Sequence, residues 1–414
     1  MEHSTAEALA GRFGTPAYVY DLAELRAAHR SLGALLPAGT HLYYSLKANP
    51  HVDLVKELVR LGCGCEVTSE GELAVALAAG VCPDRILVGG PAKSLALLGA
   101  ALDAGVTRLS VESPADLRRA SDVAEARGGR FVADLRINAD EPVTGMPLAM
   151  TGQPSQFGSD ASWVLRRPED FVADRVEITG FHLFMGTNIS DSDVLVTQFE
   201  VGLKLVGCLS GALGTTCSHV NLGGGFGWPY ARWTDAGELT LSRSCIAGVL
   251  DRYLPGWSSG EVGVSFESGR YLTARAGTLL TRVLDVKTSK GEVFVVTDVG
   301  VNQLGGMSGL RRLPRVVPDV LPVGPVTGRH ELAHLVGPLC TPLDRLSRGV
   351  ELPAVQPGDL LLIPNVGAYG LTASLVGFLG HPIAAELVID EEEVVSATRL
   401  VLERVRLREH THAG

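Results

Sequence analysis

The chain has 414 residues, of which 46% are hydrophobic and 20% charged, and its formal net charge is −10, from 36 Lys and Arg against 46 Asp and Glu. This length exceeds one ordinary domain and predicts two, and the composition is typical of a soluble globular protein. Nucleic acids and anionic membranes are bound through clusters of Lys and Arg. Because the acidic chain has no long basic run, we expect neither as a partner.

The lack of a recognisable targeting signal and the pattern of cysteines both predict a cytoplasmic protein. The N-terminus, "MEHSTAEALAGRFG", lacks the apolar core of a signal peptide, and no apolar stretch approaches the roughly 20 residues of a membrane span. The cysteines form neither a C-x-x-C pair nor a metal-binding spacing, which favours a reducing compartment and no metal site. They are Cys63, Cys65, Cys82, Cys208, Cys217, Cys245 and Cys340.

From about residue 40 the sequence alternates short β-branched runs with Ala- and Leu-rich helical stretches. A helix within 113–129, "SPADLRRASDVAEARGG", has a Ser cap, Pro in the first turn and a Gly pair at its end. Strand–helix alternation implies a parallel sheet, and eight units over roughly 250 residues imply an α/β fold, the (β/α)8 barrel. The predicted strands are 42–46, 64–67, 86–89, 108–111, 131–137, 176–184, 217–222 and 262–266.

The rest of the chain predicts a second domain and one long loop. Residues 138–175 are long for a connection, and we expect them to lie over the barrel mouth. "GTLLTRVLDVKTSKGEVFVVTDVG" (277–300) predicts two strands around a Ser-Lys-Gly turn, and "GDLLLIPNVGAYG" and "RLVLERVRL" continue the strand pattern. We therefore expect a barrel domain at 30–266 and a mostly antiparallel β domain formed by 1–29 and 267–414.

Polar residues follow three predicted barrel strands at their carboxyl ends, where barrel active sites lie. Lys47 follows the first strand, the triplet Gly223–Gly225 follows the seventh, and Glu267 and Arg270 follow the eighth. Alone, the triplet is more typical of a tight turn, and the lysine of a strand end that reaches solvent. After a seventh strand, however, glycines let backbone N–H groups approach an anion, and Arg270 adds a cation.

Together these residue types meet the binding requirements of one cofactor. A partly desolvated lysine can condense with a carbonyl group, a glycine loop with an arginine can hold a phosphate, and an acid can keep a pyridine nitrogen protonated. The sequence thus predicts a site for pyridoxal 5'-phosphate (PLP) at the barrel mouth.

Motifs along residues 16–381 resemble the fold type III PLP-dependent decarboxylases, the family of diaminopimelate and ornithine decarboxylases. The motifs are "YYSLKANP" (43–50), "GCGCEVTSEGEL" (62–73), "GFHLFMGTN" (180–188), "NLGGGFGWPY" (221–230), "ESGRYL" (267–272), "GPLCTPLD" (337–344) and "GAYG" (367–370). The resemblance implies a barrel with a C-terminal β domain, as in the alanine racemase and ornithine decarboxylase folds, and a homodimer with shared active sites.

By this resemblance Lys47, Glu267 and Cys340 are the catalytic residues. Lys47 would hold the cofactor, Glu267 would pair with the pyridine nitrogen, and Cys340 would reach across the dimer interface to return a proton. Without the surrounding motif, Cys340 would be read as a small buried apolar residue. The cofactor contacts implied are Lys47, Glu66, His182, Phe184, Thr187, Gly223, Gly224, Gly225, Glu267, Arg270 and Tyr369. Asp344 closes the cysteine motif, as a substrate contact or as a structural residue.

Three positions depart from the family pattern. Phe184 stands where a histidine commonly stacks on the ring, and Glu66 stands where aspartate is usual. Thr341 replaces an acid that helps to bind the distal ammonium of the substrate in the enzymes for free diamino substrates. Because a buried ammonium without a counter-charge is costly, Thr341 suits a neutral or extended distal end.

Within the family, the motifs are most similar to decarboxylases that act on an aminoacyl group tethered to an acyl carrier protein in natural-product biosynthesis. The basic cluster "RRLPR" (311–315), which includes Arg312, could dock a carrier, bind a substrate carboxylate or be a solvated loop. The alternatives are a decarboxylase of free diaminopimelate or of a siderophore intermediate, and a non-catalytic relative. An alanine racemase is disfavoured by the acid at position 267, and a lysine-dependent aldolase would not explain the second domain.

Overall fold

The computed structural model of the protein describes residues 1–141, 143–145, 148–149, 151–233, 239–305, 317–324 and 330–406. The chain forms two compact units. The barrel unit comprises Asp21–Gly277 with Pro364–Tyr369, and the β unit comprises Met1–Tyr20, Thr278–Ile363 and Gly370–Gly414.

The chain begins with helix α1 (His3–Phe13) and strand β1 (Ala17–Asp21), followed by helix α2 (Leu22–Leu35). The Asp21 carboxylate caps α2 by accepting the N–H of Ala23. Leu22, Leu25 and Leu32 of α2 are buried, and this helix belongs to the barrel unit.

Eight parallel strands close into the barrel, in the order β5-β4-β3-β2-β12-β11-β9-β6, with β6 pairing back to β5. The strands of this unit are β2 (His41–Ser45), β3 (Gly64–Val67), β4 (Ile86–Val88), β5 (Arg108–Val111), β6 (Phe131–Asn138), β7 (Leu148–Ala149), β8 (Ser159–Asp160), β9 (Val176–His182), β10 (Gly186–Thr187), β11 (His219–Asn221) and β12 (Gly263–Ser268). Strands β7, β8 and β10 lie outside the ring. The predicted (β/α)8 barrel is therefore confirmed, and its eight predicted strands correspond to the eight in the ring.

Helices connect the strands of the ring. They are α3 (Val52–Arg60), α4 (Glu70–Ala78), α5 (Leu95–Asp103), α6 (Pro114–Ala126), α7 (Ala161–Arg166), α8 (Ser192–Leu213), α9 (Arg243–Tyr253) and α10 (Arg270–Thr273). Helix α6 forms as predicted: the Ser113 hydroxyl accepts the N–H of Asp116, Pro114 occupies the first turn, and Gly128 has a positive φ of 67° at the end.

Helix α8 corrects one expectation. It is 22 residues long and, among the described residues, is the one helix long and apolar enough to cross a membrane. It connects β9 to β11 of the ring, and Leu195, Phe199 and Leu203 are buried along one face. These three side chains of α8 pack in the barrel unit.

The segment between β6 and β9 returns to the carboxyl end of the barrel, as expected for residues 138–175. Strand β7 pairs antiparallel with β10, which follows the end of β9. The Asn138 side chain accepts the N–H of Gly152 and donates to Gln153 O at 3.2 Å and Asp160 Oδ1 at 2.9 Å. One side chain at the end of β6 thus fixes both ends of a turn in this segment.

The β unit is the expected mostly antiparallel sheet, in the order β17-β16-β14-β13-β1-β19-β20, with β18 pairing to β13 and β15. Its strands are β13 (Gly277–Ser289), β14 (Glu292–Thr297), β15 (Leu321–Pro322), β16 (His330–Val336), β17 (Arg345–Pro353), β18 (Leu360–Ile363), β19 (Ala385–Asp390) and β20 (Glu393–Arg399). The pair β14–β16 is parallel. Lys290 and Gly291, with φ of 50° and 83°, form the predicted turn between β13 and β14.

Two boundaries differ from those predicted. Residues 21–29 and 267–277 belong to the barrel unit, because α2 leads into β2 and β12 continues past residue 266 into α10. Strand β20 ends at Arg399, so "RLVLERVRL" does not continue as a strand. Arg399 pairs with Ala385, the first residue of β19, and the described residues 400–406 therefore have no strand opposite them.

Candidate active site at the carboxyl end of the barrel

Lys47 lies directly after β2, in a short 3₁₀ turn formed by Leu46–Ala48. Its Nζ lies 3.1 Å from Glu66 Oε2, at the carboxyl end of the neighbouring strand β3. The Lys47 side chain is 43% exposed, whereas that of Glu66 is 6% exposed. The lysine is therefore oriented by a buried carboxylate while its amine stays accessible.

The two groups shift each other's pKa. Desolvation is the largest single effect and lowers the pKa of Lys47, but Glu66, Tyr369 and Glu267 together raise it by more, so the net pKa lies above its ordinary value. Burial raises the pKa of Glu66, but the Lys47 charge and a hydrogen bond from Ser45 lower it below its ordinary value. In the cofactor-free protein they form an ammonium–carboxylate pair.

The glycine triplet forms a loop after β11 that only glycine can build. A Cβ on Gly224 would lie 2.0 Å from Glu267 O, and one on Gly225 would lie 2.9 Å from Gly186 O. The Gly223 N–H donates to Asn221 Oδ1. The N–H groups of Gly224 and Gly225 donate to no residue in the described part of the chain, which leaves two backbone donors for an anion.

Arg270 and Tyr369 lie on the same side of the mouth. Arg270 begins α10 after β12, is 5% exposed, and its guanidinium carbon lies 4.8 Å from the centroid of the Tyr369 ring. The Tyr369 N–H donates to Ala48 O at 2.7 Å, next to Lys47 in sequence. Tyr369 has φ of +55°, a strained value for this residue type, and this hydrogen bond holds it beside the lysine.

Glu267 is the penultimate residue of β12 and contacts side chains from strands β11 and β9. Its Oε1 accepts from Asn221 Nδ2 at 2.8 Å and lies 3.3 Å from His182 Nε2. Burial, followed by the negative charge of Glu66, raises the pKa of Glu267 to about 7. A cation beside this carboxyl group would favour its ionised form, as pairing with a pyridinium nitrogen requires.

His182 is neutral. Burial, followed by the charges of Arg136 and Lys47, lowers its pKa well below the ordinary value. Ser110 Oγ lies 2.7 Å from Nδ1; if this hydroxyl donates, the ring proton is on Nε2, facing Glu267. His182 thus contacts the acid that is predicted to meet the ring.

Phe184 and Thr187 follow β9. A Cβ on Gly223 would lie 2.5 Å from Phe184 Cδ2, so the phenyl ring packs directly against the glycine loop. Thr187 lies in β10, opposite Leu148 of β7, and the preceding Gly186 contacts Gly225. Both predicted cofactor contacts therefore lie beside the triplet.

The remaining predicted residues lie in the β unit. Cys340 is exposed and Thr341 partly buried, in the loop between β16 and β17. Asp344 is buried, and its carboxylate accepts the N–H groups of Val301 at 2.8 Å and Leu339 at 2.7 Å. This favours the structural alternative for Asp344 over substrate binding. Arg312 lies outside the described residues.

Sequence reasoning missed three buried polar residues that support the site. Asn221 orients Glu267 and Gly223. Gln198 of α8 donates to Gly224 O at 2.8 Å. Arg136 of β6 pairs with Glu112 Oε1 at 3.0 Å. A polar residue in an otherwise apolar strand or helix face was the available signal, most clearly in "FVADLRIN" and in the Asn before the triplet.

The chemistry of these groups fits pyridoxal 5'-phosphate. The accessible amine of Lys47 lies beside a carboxylate, and a loop that a Cβ would fill presents two backbone N–H groups. Arg270 is a buried cation after the next strand of the ring, and Glu267 is a second buried acid. When bound, PLP supplies an electron sink for a bond that breaks at the α-carbon of an amino acid. Lys47 would hold it, Gly224, Gly225 and Arg270 would bind its phosphate, and Glu267 would meet its ring nitrogen.

Comparisons with known proteins agree with this assignment. The family described as "Pyridoxal-dependent decarboxylase, pyridoxal binding domain" matches residues 22–274. The L-glutamyl-[BtrI acyl-carrier protein] decarboxylase of Niallia circulans is 35% identical over 402 residues, covering 94% of this chain and 92% of that protein. The diaminopimelate decarboxylase of Pseudomonas aeruginosa is 32% identical over 396 residues, covering 94% and 91%.

Solved structures give the same result. The crystal structure of diaminopimelate decarboxylase from Helicobacter pylori complexed with L-lysine superposes with a TM-score of 0.80 at 26% identity, and the alignment covers 94% of each chain. The predicted fold, the cofactor and the decarboxylase assignment are thereby confirmed. The chain belongs to the pyridoxal-dependent decarboxylase family, and it is a PLP-dependent carboxy-lyase with the barrel and β domain of that family.

Proposed function

We propose that this decarboxylase removes the α-carboxylate of an amino acid tethered through its side-chain carboxyl to an acyl carrier protein. The observation that carries the proposal is the 35% identity, over 94% of the chain, to the Niallia circulans enzyme, whose name specifies a glutamyl group on a carrier protein. Thr341 supports it, because a tethered side chain brings no distal ammonium that needs a counter-charge. We place the reaction in natural-product biosynthesis in the cytoplasm.

The residues of the chain divide the work. Lys47 would hold the cofactor, Glu267 would keep its ring nitrogen protonated, and the loop of Gly224 and Gly225 would bind its phosphate. After loss of the carboxylate the α-carbon needs a proton, and Cys340 or the Lys47 amine would donate it. The exposed position of Cys340 suits a group that acts on a site shared with a second subunit.

Two partners follow from this proposal: a second copy of the chain and the acyl carrier protein. Leu343, three residues after Cys340, is 80% exposed, and Leu332 on β16 is 65% exposed. Contact with a second copy of the chain would remove this apolar surface from water. We therefore propose a homodimer in which the loop that carries Cys340 completes the partner's site.

The competing function is decarboxylation of a free amino acid. Diaminopimelate decarboxylases at 30–32% identity, and the 2-[(L-alanin-3-ylcarbamoyl)methyl]-2-hydroxybutanedioate decarboxylase of Staphylococcus aureus at 30%, favour it. The substrate named for the Staphylococcus aureus enzyme has a side chain that ends in carboxylates, so enzymes of this family can also accept an anionic distal end.

The deciding experiment is carbon dioxide release by PLP-loaded protein. Glutamate, aspartate, diaminopimelate and ornithine are compared as free amino acids, and glutamate and aspartate also as thioesters on the BtrI carrier protein. We expect release from a carrier-bound acyl group only. Turnover of free diaminopimelate alone would end the tethered-substrate proposal. Lys47→Ala serves as the control that must abolish every activity.

A further inference from the structure

A cation lies close to the ring of Phe184. The guanidinium carbon of Arg136, on strand β6, lies 5.5 Å from the centroid of the Phe184 ring. The same guanidinium carbon lies 4.8 Å from the centroid of the Phe157 ring. Both distances are within the range of cation–π attraction. Arg136 therefore contacts both rings, and we call the three residues the arginine cluster, with Phe184 as its inner ring and Phe157 as its outer ring.

The arginine is held in place by one carboxylate. Arg136 donates to Glu112 Oε1 at 3.0 Å, and the other oxygen, Oε2, accepts the N–H of Gly158 at 2.6 Å. Ser159 Oγ donates to the Glu112 carbonyl at 3.0 Å. Glu112 thereby fixes both Arg136 and the backbone next to Phe157, so the same residue positions the cation and the outer ring of the cluster.

The inner ring of the cluster, Phe184, touches the glycine loop. It packs against Gly223, where an added Cβ would lie 2.5 Å from the phenyl ring. A phenyl ring can stack on an aromatic cofactor but carries no charge. Arg136 is 8% exposed, so its charge is little screened by solvent. Its charge acts on the site, lowering the pKa of Lys47, Glu66 and Glu267 relative to what their other neighbours would give.

We propose that Arg136 is a positioning residue that orients Phe184, the side chain that would stack on the bound ring, and that supplies close to this phenyl ring the positive charge that a phenylalanine cannot carry. The proposal goes beyond the choice of substrate, since it concerns how the cofactor is held. It also links the ring face to the segment between β6 and β9, because Phe157 and Gly158 are part of the same arrangement.

The test uses full-length PLP-loaded protein and three readouts besides activity. They are the dissociation constant of PLP, the circular dichroism of the bound cofactor, and the pH midpoint of its visible absorbance. Arg136→Met removes charge and stacking at similar length, Arg136→Lys keeps only the charge, and Phe157→Leu removes the outer ring. Arg127→Met, which breaks an exposed ion pair with Asp103, is the control for loss of one arginine.

We expect Arg136→Met to weaken PLP binding roughly tenfold, as expected for a desolvated cation–π contact. The midpoint of the absorbance should rise, because the loss of a nearby cation favours the protonated lysine–cofactor linkage. Arg136→Lys should restore the midpoint but not the dichroism, and Phe157→Leu should give a smaller loss of dichroism. In the Arg136→Met background, Phe184→His should lower the midpoint again.

Removal of Arg136 alone leaves Glu112 buried without its counter-charge, so the single variant can fail to fold. The double variant Arg136→Met/Glu112→Gln removes the unpaired buried charge. Phe157→Leu tests the outer ring and leaves the Arg136–Glu112 ion pair intact. If folded Arg136→Met, or the double variant, binds PLP with unchanged affinity, dichroism and midpoint, Arg136 plays no part in holding the ring and the proposal is overturned.

Discussion

Lys47 Nζ and Glu66 Oε2, at the ends of two adjacent barrel strands, lie 3.1 Å apart and form an ion pair in the cofactor-free site. This ion pair disfavours the reaction of Lys47 with a carbonyl group, because only the neutral amine is a nucleophile. The carboxylate that orients the lysine also raises its pKa. Incorporation of the cofactor should therefore depend on pH through this pair.

We expect Glu66→Gln to lower the pKa of Lys47 and to move the pH profile of PLP incorporation to lower pH. Stopped-flow absorbance on the cofactor-free protein measures this profile directly. Glu66→Asp keeps the charge and should leave the profile close to that of the parent protein. A profile that does not move in Glu66→Gln would mean that the pair does not control the reactive amine.

Glu267 predicts a pH-dependent stability in the cofactor-free protein. Its pKa is about 7 in the folded chain and roughly 4.3 in an unfolded one. Between these values Glu267 is more protonated in the folded state than in the unfolded one, so the contribution of this group to stability is largest below about pH 4 and falls as the pH rises to about 7. The group should contribute on the order of 3 kcal/mol to this fall.

Denaturant unfolding of the cofactor-free protein at several pH values tests this. Glu267→Gln should lack this pH-dependent contribution to stability. The difference in unfolding free energy between parent and variant should therefore change between about pH 4 and 7. Glu125→Gln, an exposed change on α6, should leave the pH dependence intact. A parent-minus-variant difference that is flat across the window would contradict the raised pKa.

Gln198 predicts a phosphate-specific effect. It is 1% exposed, and its amide donates to Gly224 O beneath the glycine loop. We expect Gln198→Leu to loosen the loop and weaken PLP binding roughly tenfold, the size of one lost buried hydrogen bond. Binding of pyridoxal, which lacks the phosphate, should be unchanged. Fluorescence titration with both compounds makes the comparison, and Thr197→Ala, on the same helix, is the control. Equal weakening for both compounds would place the effect outside the phosphate site.

The residues of the candidate site could be proposed from the sequence because each has a local signal. Lys47, the glycine triplet and Glu267 follow the ends of apolar strands, and the ring order of a parallel barrel then brings them to one mouth. The contacts between distant residues had no such signal. Nothing in the sequence pairs Arg136 with Phe157 and Phe184, because their approach depends on how the segment between β6 and β9 folds back.

The end of β20 illustrates the same limit. Residues 399–407 are rich in Leu and Val, as strands often are, but a strand needs a partner, and β19 begins opposite Arg399. Asp344 is a second case. Its place next to the cysteine motif suggested a substrate contact, whereas its backbone partners become visible only once the loop is folded.

Asp344 gives the last prediction. Its two oxygens accept the N–H groups of Val301 and Leu339, so an amide at this position would place a donor against a donor. We expect Asp344→Asn to destabilise the protein by about 1–3 kcal/mol, the cost of a buried unsatisfied group. It should also increase the reaction rate of Cys340 with a thiol reagent, because the loop between β16 and β17 loses its anchor. Thermal unfolding and thiol labelling, with Cys340→Ser to identify the labelled residue, test both effects. A substrate contact would behave differently: Asp344→Asn would then raise KM while unfolding temperature and labelling rate stayed at the parent values.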